Sequence, residues 1–225
     1  MNAVLYLYAI TDSPTPPPIA GLRGASVRAV GAAGLFAIVT EHDELRLEAT
    51  EDDLWTHERV VEALMDGASV LPVRLGTTMP DEATVLAALR ERPELGSALE
   101  RVRGAVELGI RAAIAGDDDP APEDEDSADA PGRGTAYMRG RLRRERRTNE
   151  AAARIHEPLA SLARASTVRL GTQDRPLLRA AYLVDRDRVP DFMACLEGLD
   201  GRGGAPIVCT GPWPPYSFSS AKATR

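Results

Sequence analysis

Between Val106 and Ile114 the large apolar side chains keep to alternate positions: Val106, Leu108, Ile110 and Ile114 occupy one parity, and Glu107, Gly109 and Arg111 lie between them. A period of two is incompatible with a helix and specifies a strand with one buried face. The residues after it supply the elements such a strand packs with. Arg133–Ala163 reads as one long helix, Arg-rich in its first half and Ala/Leu-rich in its second. Thr167–Leu170 and Leu177–Val184 are short β-type runs joined by a turn from Gly171 to Pro176. Asp187–Leu199 is helical, and Pro206–Cys209 is a last strand. From residue 104 the order is therefore β-α-β-β-α-β, the ferredoxin-like arrangement.

The part before residue 104 predicts a second, smaller α+β unit. Asn2–Ile10 reads as a buried strand, stopped by Pro14 and the Pro16–Pro18 triplet. Ser26–Val30 and Leu35–Thr40 predict a hairpin, with Gly31 and Gly34 bracketing a four-residue connection. Glu51–Asp66 is a helix with acids in its first turn and Leu54, Val61, Leu64 and Met65 as its apolar stripe. Ser69–Leu75 is a strand that Pro72 assigns to an edge or a bulge. Pro80 and Asp81 open a helix through Arg90, and Pro93 opens another through about Val102. The expected fold is α+β in two domains. Residues 1–103 form the first and 104–218 the second, which carries the C-terminal segment; residues 117–131 form a flexible acidic loop, and 219–225 a short polar tail.

Charge is polarised along the chain. The net charge is −7, but residues 1–130 carry 25 acids and 10 bases, whereas 131–225 carry 9 acids and 17 bases. Such a dipolar chain can bring its halves together or dock head-to-tail on a charged partner. Six of the nine residues in Arg139–Arg147 are Arg. A pI of 5.1 and the lack of interleaved aromatics argue against nucleic acid as the partner. A solvated or internally paired helix face, or a docking face for an acidic protein, fits better.

No stretch approaches the roughly 18 consecutive apolar residues of a membrane span, and the apolar run Ala3–Ile10 has no basic flank before it and no small-residue cleavage site after it, so a cytoplasmic protein without membrane partner is expected. No catalytic, cofactor-binding or metal-binding constellation emerges. His57-Glu58-Arg59-Val60-Val61 begins like a zinc-protease helix but lacks the second imidazole at Val61. His57 is therefore expected at a helix surface or domain boundary. His42 and His156 are isolated, and Cys195 and Cys209 suggest buried free thiols. There is no nucleophile elbow or phosphate loop, and Gly201-Arg202-Gly203-Gly204 follows a helix rather than a strand. The expectation is a protein that is not an enzyme.

Thr210-Gly211-Pro212-Trp213-Pro214-Pro215-Tyr216-Ser217-Phe218 holds three of the chain's ten aromatic residues, and four of its nine positions are Gly or Pro. A Pro-stiffened backbone carrying Trp, Tyr and Phe loses little entropy on docking. It is expected either as a strap over the protein's own core or as an exposed partner site, and both hold if the strap edges an interface.

This ending resembles the C-terminus of gas vesicle accessory proteins of the GvpF/GvpL family. Tyr6-Leu7-Tyr8-Ala9-Ile10, the helix from His57 to Met65, Val70-Leu71-Pro72-Val73-Arg74-Leu75-Gly76-Thr77 and Ala180-Ala181-Tyr182-Leu183-Val184 are similar to that family's segments and occur in the same order. The resemblance implies a non-enzymatic role in building gas vesicles, before assembly in the cytoplasm and then at the vesicle. It implies binding to the small, very apolar shell protein GvpA, limiting its aggregation and helping to nucleate the wall, and contact with other accessory proteins. Candidate contact residues are Trp213, Pro215, Tyr216 and Phe218, with an exposed Ser69–Leu75 edge as an addition. Arg139, Arg143 and Arg146 are the candidates for acidic partners. The rival reading is a ferredoxin-like small-molecule-binding or catalytic domain, which would require three or more inward polar side chains on the strands at 106–114, 167–170 and 177–184.

Overall fold

A computed structural model describes residues 4–43, 50–114, 133–172, 177–200 and 206–219. The expected acidic loop at 117–131 and the tail beyond Ser219 lie outside the described residues. The chain divides into two compact units, one made of residues 1–107 with 211–225 and the other of residues 108–210. The aromatic C-terminal segment thus belongs with the first unit, not with the second domain to which its sequence position assigned it.

The first unit is built on β1 (Val4–Thr11), a strand whose apolar residues alternate with nothing polar because both of its faces are covered. Its sheet runs β2 (Arg28–Ala32), β3 (Leu35–His42), β1, β4 (Val70–Pro72), with β5 (Thr78–Met79) also paired to β1. All of these pairings are antiparallel. The β1–β3 register shifts between Leu7 and Ala9. That bulge changes the parity of the strand. Tyr6, Tyr8 and Ala9 pack with Ile38 against Val60, Val61 and Leu64 of helix α1 (Glu51–Leu64). Leu7 and Ile10 instead line a cleft with Leu71, Val85 and Leu89, the last two from α2 (Glu82–Glu91). Helix α3 (Glu94–Val102) buries Ala98, Leu99 and Val102.

Four local expectations need correction. The hairpin connection is two residues, Ala33 and Gly34, both with positive φ (54° and 78°), so β2 runs on through Gly31 and Ala32. Such a primed turn matches the twist of the flanking strands, which a four-residue loop is not needed to do. The strand expected at Ser69–Leu75 is an edge strand, as Pro72 indicates, but only three residues long, and all three are buried. It offers no exposed row of side chains. Leu54, assigned to the apolar stripe of α1, is exposed, while His57, expected near the surface, is fully buried. Position 57 lies about 60° or less from Val60 and Val61 around the helix, and Leu54 falls just outside the arc that faces the sheet.

The second unit contains most of β6 (Ala105–Ala113) and β9 (Ile207–Trp213), together with α4 (Arg133–Ala160), β7 (Ala165–Leu170), β8 (Leu177–Asp185) and α5 (Val189–Asp200). The sheet order is β7-β8-β6-β9. Numbering only these four strands along the chain, that is 2-3-1-4, the ferredoxin-like order expected from the element sequence. Strand β9 extends beyond Cys209 to Trp213 and lies at the sheet edge, where Pro212 forfeits no inner ladder bond. Leu108, Ile110, Leu159, Tyr182, Val184, Phe192 and Leu196 form the core. On the strands that would have to supply a polar pocket, the described buried residues are apolar except Tyr182. The Tyr182 hydroxyl is taken by His156 Nδ1 at 2.9 Å. The requirement of the small-molecule reading is not met there.

Candidate partner-binding surface

The C-terminal segment enters the first unit through Gly211, whose φ of +112° and close surroundings admit only glycine: a Cβ there would stand 2.7 Å from the Glu107 carbonyl oxygen. From this pivot the segment splits its aromatic residues between two environments. Pro214, Pro215 and Phe218 are buried, Tyr216 is half-buried, and Trp213 is 41% exposed. Strap and exposed surface therefore coexist, carried by different residues of one run.

Polar contacts fasten the strap. Ser217 donates from its backbone N–H and its hydroxyl to the two carboxylate oxygens of Glu107, each at 2.7 Å. Arg101 donates to the Phe218 carbonyl at 3.2 Å, and Tyr216 donates its hydroxyl to Glu58 Oε1 at 2.8 Å. Burial raises the Glu58 carboxyl above the usual carboxylate range, against the opposing bond from Tyr216. The same cause raises Glu107, with Ser217 opposing. Burial, and then the bond to Glu58 and its charge, push the Tyr216 phenol upward.

Beside the strap lies an open groove of about 310 Å³ lined by Leu54, Trp55, Glu58, Arg59, Glu62, Trp213 and Tyr216. Its walls come from the solvent face of α1 and from the strap. Leu54 and Trp55 are 42% and 56% exposed. Two tryptophans and a leucine left in water side by side, rimmed by carboxylates, have the composition of a docking surface rather than of a catalytic pocket. Sequence reasoning missed Leu54, Trp55 and Glu58 as members. Their signal was the helical angle, since positions 55, 58 and 62 fall on the arc opposite to Val60 and Leu64, with 54 at its margin.

Behind the groove, α1 is anchored by a buried relay. The Gly76 N–H donates to Tyr6 Oη at 3.3 Å, Tyr6 Oη meets His57 Nδ1 at 2.7 Å, and His57 Nε2 meets the Val73 carbonyl at 3.0 Å. A carbonyl can only accept, so Nε2 carries the proton and Nδ1 accepts from Tyr6. Burial depresses the His57 pKa to about 4, and the ring is a neutral strut, not a metal ligand. Among the described residues no cluster of His, Cys, Asp and Glu could hold a metal ion, and no helix is long and apolar enough to cross a membrane.

In the second unit, Arg139, Arg143 and Arg146 stand exposed on α4. Arg146 pairs with Glu150 at 2.8 Å, while Arg139 and Arg143 form no ion pair with a described residue. Met138 and Leu142, one turn apart on the same helix, are 52% and 59% exposed.

Comparison with known proteins places this architecture. The sequence profile of the family described as gas vesicle synthesis protein GvpL/GvpF matches residues 4–220. Gas vesicle protein L of Streptomyces sp. (strain CB03234) is 33% identical, over 95% of this chain and 92% of its own. Gas vesicle protein F of Haloferax mediterranei is 27% identical, over 97% and 94%. The crystal structure of GvpF from Microcystis aeruginosa has the same fold, with a TM-score of 0.79 at 20% identity over 96% of this chain and 99% of that one. That of GvpF from Anabaena sp. PCC7120 gives 0.77 at 20%, over 97% and 96%. A profile match over nearly the whole chain, with relatives aligned end to end, is decisive: the chain belongs to the GvpL/GvpF family of gas vesicle synthesis proteins.

Proposed function

We propose that this protein acts in gas vesicle assembly by binding the small apolar shell protein GvpA, holding it from aggregation until it joins the growing wall. The role is non-enzymatic and is exercised at the vesicle. A subunit destined to line a gas space exposes a large apolar face while free, and such faces aggregate. The observation that supports the reading is the Leu54–Trp55–Trp213 surface, left in solvent on a frame that the buried strap holds rigid. Rigid aromatic anchors of this kind dominate interface energies. Pro215, Tyr216 and Phe218 serve it from behind, by fixing where Trp213 stands. Arg139, Arg143 and Arg146 are a separate, charged surface open to other assembly partners.

The test is co-expression with the shell protein, followed by solubility and pull-down assays on the full chain and on Trp55→Ala/Trp213→Ala. The full chain is expected to keep the shell protein soluble and to co-purify with it. The double variant should lose both effects while keeping its melting temperature. If the shell protein aggregates beside the full chain and no complex forms, direct binding is wrong for this member.

A further inference from the structure

The groove on the first unit and the arginine helix of the second are complementary in chemistry and in spacing. On α1 the stripe Glu51, Trp55, Glu58, Glu62, with Leu54 beside it, runs along the solvent face, so carboxylates flank the two apolar side chains. On α4 the stripe Met138, Leu142 is exposed, and one step around the helix stand Arg139, Arg143 and Arg146. Glu58 and Glu62 are one helical turn apart, as are Arg139 and Arg143, so both charge pairs repeat at about 6 Å. The two surfaces differ in charge balance: the groove is apolar with Glu58 and Glu62 against one Arg59 at its rim, and the ridge is apolar with Arg139, Arg143 and Arg146 against one Glu145 on its flank.

We propose that the groove formed by Leu54, Trp55 and Trp213 receives helix α4 of a second copy of this chain. Met138 and Leu142 enter between the tryptophans, and Arg139 and Arg143 meet Glu58 and Glu62. The contact joins two different surfaces, so it is heterologous. Each open assembly keeps one unfilled groove and one unfilled helix at its ends, and association continues until the ends meet or the supply of chains stops. The local charges, carboxylates on α1 and arginines on α4, orient the copies head-to-tail. The groove is also the surface proposed for the shell protein, so the two occupants compete. Self-association is a property of this chain alone and is read without shell protein, which keeps its failure separate from a failure of that reading.

The experiment is sedimentation equilibrium of the full chain over a wide concentration range, at low and at high salt. Concentration-dependent association that weakens with salt is expected. Trp213→Ala and Arg143→Glu should each weaken it at least about tenfold while leaving the melting temperature in place, since both residues are exposed. Mixing these two variants is the discriminating arm. The Arg143→Glu chain retains an intact groove and the Trp213→Ala chain an intact helix, so the mixture should give a one-to-one dimer and nothing larger. A third variant, Glu62→Arg combined with Arg143→Glu, should recover association by exchanging the charges. The proposal is overturned if the full chain stays monomeric at every concentration. Self-association as strong in Arg143→Glu as in the native chain would overturn it too, as would a mixture that forms no dimer.

Discussion

The Tyr216 hydroxyl donates a 2.8 Å hydrogen bond to Glu58 Oε1, closing a separation of 158 residues between the strap and the solvent face of α1. The bond holds one wall of the aromatic groove against the other, and it also governs a charge. Burial raises the Glu58 pKa, and Tyr216 offsets part of that rise. A carboxyl with a raised pKa binds more protons folded than unfolded, so stability falls as pH rises from the ordinary carboxylate value near 4.5 through the folded value.

Tyr216→Phe removes the donor and leaves a half-buried carboxylate without it. The expected cost at neutral pH is about 1–2 kcal/mol. The Glu58 pKa should move further up, so the loss of stability with rising pH becomes steeper in the variant. Urea denaturation at several pH values measures both effects; a variant with the native pH slope would mean that the bond does not form in solution.

The division of labour within the strap predicts two unlike variants. Phe218 is 7% exposed, and Phe218→Ala should cost about 3–5 kcal/mol as a large-to-small core change. Trp213 is 41% exposed, and Trp213→Ala should stay within about 1 kcal/mol of native stability. Thermal melts of the two variants side by side check the contrast. Equal losses would mean that Trp213 packs in the core as Phe218 does.

How far this arrangement was readable in the sequence depends on whether one element or two decided it. The alternation from Val106 to Ile114 needed only a strand with a buried face, and the β-α-β-β-α-β order followed from periods along the chain. Thr50 and Asp81 cap their helices, each accepting from the backbone N–H three residues on, as local chemistry requires. His57 and Leu54 were placed on the wrong faces for a different reason. The buried arc of α1 is set by the sheet face it packs on, Tyr6, Tyr8 and Ala9, and Ala9 joins that face only through a bulge that leaves no mark in composition. The groove required both α1 and a strap more than 150 residues later, so its aromatic members could be named only in part.

His57 predicts the acid limb of the stability curve. Its pKa falls from 6.5 to about 4, a difference of roughly 3 kcal/mol between the two protonation states. The unfolded chain takes up the proton first as pH falls, so this contribution is complete above about 6.5 and is lost as pH drops toward 4. The sign opposes that of Glu58. Long-range nitrogen–proton correlation spectra at about pH 5.5, between the unfolded and folded values, should show His57 still neutral and protonated on Nε2. A charged ring at that pH would contradict the relay through Tyr6 and Val73.

Gly211 predicts the sensitivity of the groove to a single methyl. Its φ of +112° is unfavourable for any L side chain, and a Cβ would stand 2.7 Å from the Glu107 carbonyl oxygen and 3.2 Å from Trp213 Cδ1. Neither neighbour yields easily: the carbonyl belongs to β6, and the Trp213 ring forms a wall of the groove. Gly211→Ala should therefore lower stability by about 2 kcal/mol or more. It should also turn Trp213 away from Trp55, because the pivot that aims the indole sits two residues before it. Tryptophan fluorescence reports the second effect separately from the melt. A variant with a native emission spectrum and native stability would show that the strap can be redirected at no cost, and that the aromatic surface does not depend on this backbone geometry.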